Sequence, residues 1–422
     1  MIYRIEPSSL SGTIEIPPSK SHTHRALLFA LLASGTSTIH KFLDSPDSQA
    51  MLSAIEMLGA QVKQTNDTLE IIGVGGNLKS PKEAIDVKNS GIILRFIGAL
   101  TTLLPSDTII TGDLSIQTRR PMKPLVEALK ELGAFAKSMK GDGYAPLMIR
   151  GPLQGGTCIL DGEDSQPVSA LLIASSFAEN PTEIHVKNPG EKPWIDVTLY
   201  WLKFLGLPYE RQGYHYYRIP GKGAIKGFTY TVPGDFSSLA FPLAAALVTQ
   251  SEITIKNIDQ NDVQGDKKLL EILKQMGAQF HFEENTLHVK KGQTLKGCTI
   301  DINDMIDSIT ILAVIGCYAE GETIITNGVI ARSKECDRIH AIVTELKKMG
   351  ADIEEKEEGL IVRSSFLKGA RVKTYDDHRM AMSLTVAALG ARGTTTIDGA
   401  ACSSKTYPYF REAMQGLGGN IR

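Results

Sequence analysis

The chain has 422 residues, too many for one compact core, and two domains are the natural expectation. Lys+Arg 45 against Asp+Glu 47 leaves a net charge of −2, so no overall field favours nucleic acid or an anionic membrane surface. The cysteines (Cys158, Cys298, Cys317, Cys336 and Cys402) form no CxxC pair, which argues against a disulfide framework or zinc site and fits a reducing cytoplasm.

In chain order, residues 1–16 alternate like a strand and lack the charged-then-apolar plan of a signal peptide. No apolar run reaches the roughly 18 residues needed to cross a bilayer. A polar cluster at Lys20-Ser21-His22 then leads an apolar helix over 25–35 and a Thr/Ile strand over 36–42. The same succession starts again at Asn89-Ser90-Gly91, and at Asp164-Ser165-Gln166 with a helix over 169–177 and a strand over 182–186. It continues at Gly234-Asp235-Phe236-Ser237 (helix 241–248, strand 251–255) and at Asp304-Met305-Ile306-Asp307 (helix 309–321, strand 322–326). The last member is Asp376-Asp377-His378-Arg379, with a strand over 394–398. These helices are apolar nearly all round and are expected to be buried.

A second series interleaves with the first. More amphipathic helices, such as those over 121–134, 265–278 and 338–351, stop at a hydrophobic–Gly punctuation. The six glycines are Gly59, Gly133, Gly206, Gly277, Gly350 and Gly418, spaced 74, 73, 71, 73 and 68 residues apart. A period of that length means one supersecondary unit copied six times, three copies to a domain. Each copy contains two helices and three or four strands, with the apolar helix inside and the sheet and amphipathic helix around it.

Arg120, Arg338 and Lys405 lie 13, 12 and 13 residues before their glycines, near equivalent helix N-termini. Such ends are expected to converge at one domain face, where N–H groups and helix dipoles already favour anions. Added cations make that face a site for a phosphate or carboxylate ligand.

The motifs Pro17 to Arg25, Asn89-Ser90-Gly91 through Arg95, and Gly112-Asp113 through Arg119-Arg120-Pro121-Met122 resemble those of the 5-enolpyruvylshikimate-3-phosphate synthase family. So do Gly234 to Ser238, Lys334-Glu335-Cys336-Asp337-Arg338, Asp377 to Met382, and Lys405-Thr406-Tyr407-Pro408. The resemblance implies an α/β fold: a two-domain inside-out α/β barrel with six copies of a ~70-residue βαβαββ-type repeat. Residues 19–233 would form the acceptor-side domain. Residues 1–18 and 234–422 would form the domain with the acid–base groups and the phosphoenolpyruvate side, the two closing over the substrates.

The implied reaction moves the enolpyruvyl group of phosphoenolpyruvate onto the 5-hydroxyl of shikimate 3-phosphate, releasing phosphate. It needs no cofactor and no metal, and the family pattern implies a cytoplasmic monomer without nucleic-acid or membrane partners. By family position Lys20, Arg120, Arg338, Arg379 and Lys405 would hold phosphoenolpyruvate, with Gly91 giving close backbone approach and Gln166 hydrogen bonding. Ser21, Arg25, Ser165 and Gln166 would orient the acceptor, and Lys334 would add positive charge. Asp307 would take the hydroxyl proton, and Glu335, assisted by Lys20, would protonate carbon. Taken alone, Asp307 reads equally as a cap before 308–314, and Glu335 as a first-turn acid of the next helix. His22, His24, His378 and Cys336 carry no assigned chemistry.

Two departures bear on the acceptor. Asp164 and Glu191 stand where the family usually has serines that serve the acceptor phosphate. A carboxylate about 4 Å from a phosphate costs on the order of 4 kcal/mol per charge pair at an effective dielectric of 20. Either both acids turn away or pair with Lys192, Lys334 or Arg25, or the acceptor is another alcohol. The related UDP-N-acetylglucosamine enolpyruvyl transferases fit less well, having a reactive Cys where this chain has Ser115. A non-catalytic metabolite-binding relative would have no need for both Asp307 and Glu335.

A third departure is Ile92, after Gly91, where Thr is common. A β-branched apolar side chain there presses on the subsite that glyphosate occupies in the family. Ile92→Thr is therefore expected to lower the glyphosate inhibition constant by at least about tenfold, roughly 1.4 kcal/mol; an unchanged constant in steady-state inhibition would refute this.

Overall fold

All six punctuating glycines are left-handed, with φ of +111° (Gly59), +87° (Gly133), +71° (Gly206), +102° (Gly277), +89° (Gly350) and +100° (Gly418). Each follows directly on a helix and turns the chain into a strand or the extended run before one, as at Gln61–Thr65, Phe135–Ser138 and Asp352–Lys356. Glycine tolerates this stop because it has no Cβ to clash with the carbonyl.

The computed structural model describes residues 1–422. It divides into one unit of Met1–Pro17 and Pro233–Arg422 and a second unit of Pro18–Val232. Each unit holds three four-stranded sheets. In the second unit, Thr229–Thr231 pairs parallel with Ser34–His40, which pairs antiparallel with Thr68–Val74, itself antiparallel to Gln61–Thr65. All six sheets repeat this order of one parallel and two antiparallel pairings.

The parallel edge strand always comes from outside the hairpin, which closes each unit on itself. Thr229–Thr231 returns from the end of its unit to the first sheet. In the other unit Ser11–Glu15 pairs parallel with Glu252–Lys256, while Ile2–Glu6 lies between Thr395–Asp398 and Asn420–Ile421. Strands such as Thr182–Lys187 alternate buried and exposed residues, so one face of the sheet meets solvent.

The opposite face covers helices buried along nearly their whole length. These are Lys20–Leu32, Gly91–Leu100 and Ser165–Ser175 in one unit, and Phe236–Val248, Ile309–Tyr318 and His378–Gly390 in the other. Helices lie inside and sheets outside, as the all-round apolar runs require. The second helix of each repeat buries only one stripe; in Arg338–Lys348 it is Ile339, Ile342, Val343 and Leu346.

Polar clusters start the buried helices. Ser19, Asp164, Asp235 and Asp377 each accept a hydrogen bond from a first-turn N–H. The exceptions are Gly91–Leu100, where Ser90 makes no side-chain cap bond, and Ile309–Tyr318, preceded by a 3₁₀ turn over Asn303–Ser308 that breaks at Met305 (φ −145°, ψ 46°) and leaves Ser308 without one. No helix is long and apolar enough to cross a membrane.

A Cβ at Gly350 would meet nothing nearer than Phe366 O at 3.9 Å, so its φ of +89° alone sets the cost of a side chain. Gly350→Ala is expected to lower the unfolding free energy by about 1–2 kcal/mol, measurable by urea denaturation.

Candidate active site

In the unit of 1–17 and 233–422 the polar clusters meet on one buried guanidinium. Arg338 opens its helix behind the cap Asp337 and is 1% exposed. Its Nε donates to Asp377 Oδ2 at 2.8 Å, one terminal nitrogen to Asp307 Oδ1 at 2.7 Å, and the other to Glu335 Oε2 at 2.9 Å. Burial pushes this guanidinium down, but Asp377, Glu335 and Asp307 outweigh burial and hold it well above its ordinary value.

The outer oxygens of these carboxylates find further cations. Arg379 donates to Asp307 Oδ2 at 2.9 Å and to Ser237 Oγ at 2.8 Å, and Lys405 donates to Glu335 Oε1 at 2.8 Å. Ser237 Oγ in turn donates to Asp235, the cap of its helix. Asp377 Oδ1 caps the last buried helix through Arg379 N (2.7 Å) and Met380 N (3.3 Å). Three carboxylates and three cations are interleaved here. Lys334, adjoining in sequence, is 7% exposed.

The cap of Ile309–Tyr318 is Ser308 rather than Asp307, whose carboxylate spans Arg338 and Arg379. Glu335 lies ahead of the cap Asp337, outside the helix, between Arg338 and Lys405. Donor atoms of Glu335, Asp377 and His378 lie within 4.8 Å of one another, a spacing that could hold a metal. The Arg338 and Lys405 nitrogens already on those carboxylates make it a poor cation site. Cys336, within the same motif, is buried with its Sγ 3.7 Å from Asp377 Oδ2, and burial pushes its thiol far up. That suits an inert thiol.

In the unit of 18–232, Arg25 is 1% exposed on the helix Lys20–Leu32. Its Nε and one terminal nitrogen reach Thr198 Oγ1 at 2.9 and 2.8 Å. The backbone oxygens of Ser21 and Trp194 lie at 3.1 Å, and the Phe96 ring centroid at 5.1 Å. No carboxylate is among these partners, and burial pushes the guanidinium down to about 9. A bound anion would restore the balance.

Lys20 Nζ lies 3.9 Å from Asp47 Oδ2, the oxygen to which Ser90 Oγ donates at 3.1 Å. A Cβ on Gly91 would sit 2.7 Å from an Arg95 nitrogen, 3.4 Å from Arg120 Nε and 3.5 Å from Gln166 Oε1. Any other residue there would have to displace the Arg95 guanidinium, and the buried Gln166 Oε1 has no hydrogen-bond partner.

Of the two departing acids, Asp164 pairs with Arg95 at 3.2 Å and caps its helix through Gln166 N at 3.0 Å. Glu191 does not turn away: it is 3% exposed, left-handed at φ 45°, and accepts from both N and Oγ of Ser165 at 3.2 Å.

The expected convergence of Arg120, Arg338 and Lys405 on one domain face needs correction. Arg338 and Lys405 share Glu335, but Arg120 belongs to the other unit, beside Gly91 and Gln166. Nor does Arg338 wait for a ligand to balance it; its anions are the chain's own. Sequence reasoning also missed Asp47, Arg95 and Asp377 as partners of site residues. Asp47 carried no signal beyond a first-turn acid, while Asp377 lay inside a quoted motif.

A family model described as EPSP synthase (3-phosphoshikimate 1-carboxyvinyltransferase) matches residues 5–414, and the chain belongs to that family of enolpyruvyl transferases. Relatives named 3-phosphoshikimate 1-carboxyvinyltransferase include one from Chlamydia caviae, 43% identical over 100% of this chain and 95% of the relative. One from Acetivibrio thermocellus is 41% identical over 100% of this chain and 99% of the relative. One from Methanocaldococcus jannaschii is 41% identical over 98% and 97%. A solved EPSP synthase from Acinetobacter baumannii matches with a TM-score of 0.84 at 29% identity, covering 100% of this chain and 99% of that one.

Two buried groups should respond very differently to loss of charge. Asp377→Ala strips Arg338 of a counterion and the last buried helix of its cap, and is expected to cost about 3–5 kcal/mol of unfolding free energy. Arg25→Met removes a charge with no carboxylate partner and should change stability by less than about 1 kcal/mol. Urea denaturation of both variants tests the contrast; an equal loss would contradict it.

Proposed function

We propose that this enzyme transfers the enolpyruvyl group of phosphoenolpyruvate to the 5-hydroxyl of shikimate 3-phosphate, giving 5-enolpyruvylshikimate 3-phosphate and phosphate. The observation that carries the reading is the pair Asp307 and Glu335, bound to opposite ends of one buried guanidinium and each backed by a second cation. Two carboxylates held apart in this way suit two separate proton transfers.

The acceptor hydroxyl loses its proton to Asp307 as its oxygen attacks the second carbon of phosphoenolpyruvate. The methylene carbon gains a proton from Glu335, with Lys20 assisting. In the second step that carbon gives a proton back and phosphate leaves, which restores the double bond. Both oxygens of Glu335 accept charge-assisted hydrogen bonds, so delivering a proton requires releasing one of them. A ligand phosphate or carboxylate competing for Arg338 and Lys405 does this, coupling donor binding to protonation. We assign Lys20, Arg120, Lys334, Arg338, Arg379 and Lys405 to the charges of phosphoenolpyruvate, with Gly91 letting the backbone approach. Ser21, Arg25, Ser165 and Gln166 are assigned to the acceptor.

A second reading, an acceptor other than shikimate 3-phosphate, is favoured by Glu191, whose carboxylate takes both donors of Ser165. We take the protein to act as a cytoplasmic monomer. Its cysteines are free, and burial pushes the Cys317 thiol up to about 12, which fits a reducing compartment.

The deciding measurement is phosphate release from phosphoenolpyruvate with shikimate 3-phosphate, with shikimate as control. Turnover that needs the 3-phosphate, and falls at least about 100-fold in both Asp307→Asn and Glu335→Gln, is the expected result. Turnover with unphosphorylated shikimate alone would favour the second reading. Full activity in either variant would overturn the roles given to these carboxylates.

A further inference from the structure

Behind the Arg338 cluster lies a second buried carboxylate that the proposed chemistry does not use. Glu345 is fully buried on the helix Arg338–Lys348, seven residues and two turns beyond Arg338 on the same face. Its Oε1 accepts from Tyr375 OH at 2.6 Å and its Oε2 from the backbone N–H of Lys373 at 3.1 Å. Lys348 Nζ donates to both oxygens, at 2.7 and 2.6 Å.

Tyr375 and Asp376 are the central residues of a tight turn closed by Asp377 N on Thr374 O at 3.0 Å. Both have φ of 55°. Consecutive left-handed residues suit Asn and Gly, and a tyrosine there is strained. The turn is held on one side by Thr374 Oγ1 on Gly399 O at 3.1 Å and on the other by Glu345. It leads directly into Asp377, which receives Arg338 Nε and caps the helix that begins His378-Arg379. One helix thus grips one turn at two points, through Arg338 and through Glu345.

We propose that Glu345 is a positioning residue of the active site: through Tyr375 and Lys373 N–H it holds the 374–377 turn, and thereby sets where Asp377 aims Arg338 and Arg379. The inference rests on the proposed role of those arginines in binding the anionic donor substrate. Small misplacement of such groups is costly, since they act by geometry.

Tyr375→Phe deletes one hydroxyl and is the principal test; Glu345→Gln, which removes the charge, accompanies it. Steady-state kinetics with phosphoenolpyruvate and shikimate 3-phosphate should show the KM for phosphoenolpyruvate raised about tenfold in Tyr375→Phe, with the unfolding midpoint within about 4 °C of the parent. The double variant should be no worse than the more impaired single variant, because both break one linkage. Wild-type KM in Tyr375→Phe, or a loss of activity that only follows loss of folded protein, would overturn the proposal. Arg338→Gln separates the two ideas. If that variant keeps the parent's KM, the reading of the arginines has failed rather than the role of Glu345.

Discussion

A guanidinium buried to 1% exposure is tolerated only where its donors are met, and Arg338 meets that condition with three carboxylates from three segments. Asp307 comes from the 3₁₀ turn before one buried helix, Glu335 from the loop before Arg338's own helix, and Asp377 from the cap of another. Only arginine offers donors in several directions within one plane; a lysine would satisfy at most part of this set. Three carboxylates on one cation would leave excess negative charge, which Arg379 and Lys405 offset from the far side. The relative placement of three repeats is therefore fixed by electrostatic necessity as well as by apolar packing.

The two units solve the charge problem differently. Around Arg338 carboxylates and cations alternate, so a ligand can enter only by exchanging partners, which suits groups that must take up or release protons. Around Arg25 the partners are a hydroxyl, two carbonyls and an aromatic face, with no carboxylate. There the missing counter-charge is a standing demand for an anion. The unpartnered Gln166 Oε1 and the crowding at Gly91 belong to the same unit.

Much of this was legible beforehand because the repeat is periodic. Glycine stops at regular spacing and apolar runs led by polar clusters each have one physical cause, and both series lie where the pattern puts them. Periodicity says which positions are equivalent but not which side chains face one another. Arg95 and Asp164 are 69 residues apart in sequence, yet form an ion pair. Asp47 reads as a helix first-turn acid until its helix is docked beside Lys20 and Ser90. Glu345 sits three residues before Lys348 and reads as half of a surface pair, but it is buried and serves a turn some thirty residues on. Helix position alone groups Arg120 with Arg338 and Lys405, although it belongs to the other unit.

The acceptor question narrows to Glu191. Asp164 is matched by Arg95, so its charge need not oppose a phosphate. Glu191 accepts from the amide and hydroxyl that begin the helix Ser165–Ser175, held there by a left-handed backbone that a glutamate does not favour. Its own carbonyl accepts from Trp194 N at 3.1 Å, and the Trp194 carbonyl accepts from Arg25. The negative group and the uncompensated positive group are therefore tied to the same helical turn. A phosphate about 4 Å from each would feel two terms of on the order of 4 kcal/mol with opposite signs. Arg25 alone cannot decide such a contest. The phosphate also gains the Ser165 donors only if Glu191 gives them up. Under the proposed function, acceptor binding thus depends on an exchange at Ser165, as donor binding depends on one at Arg338.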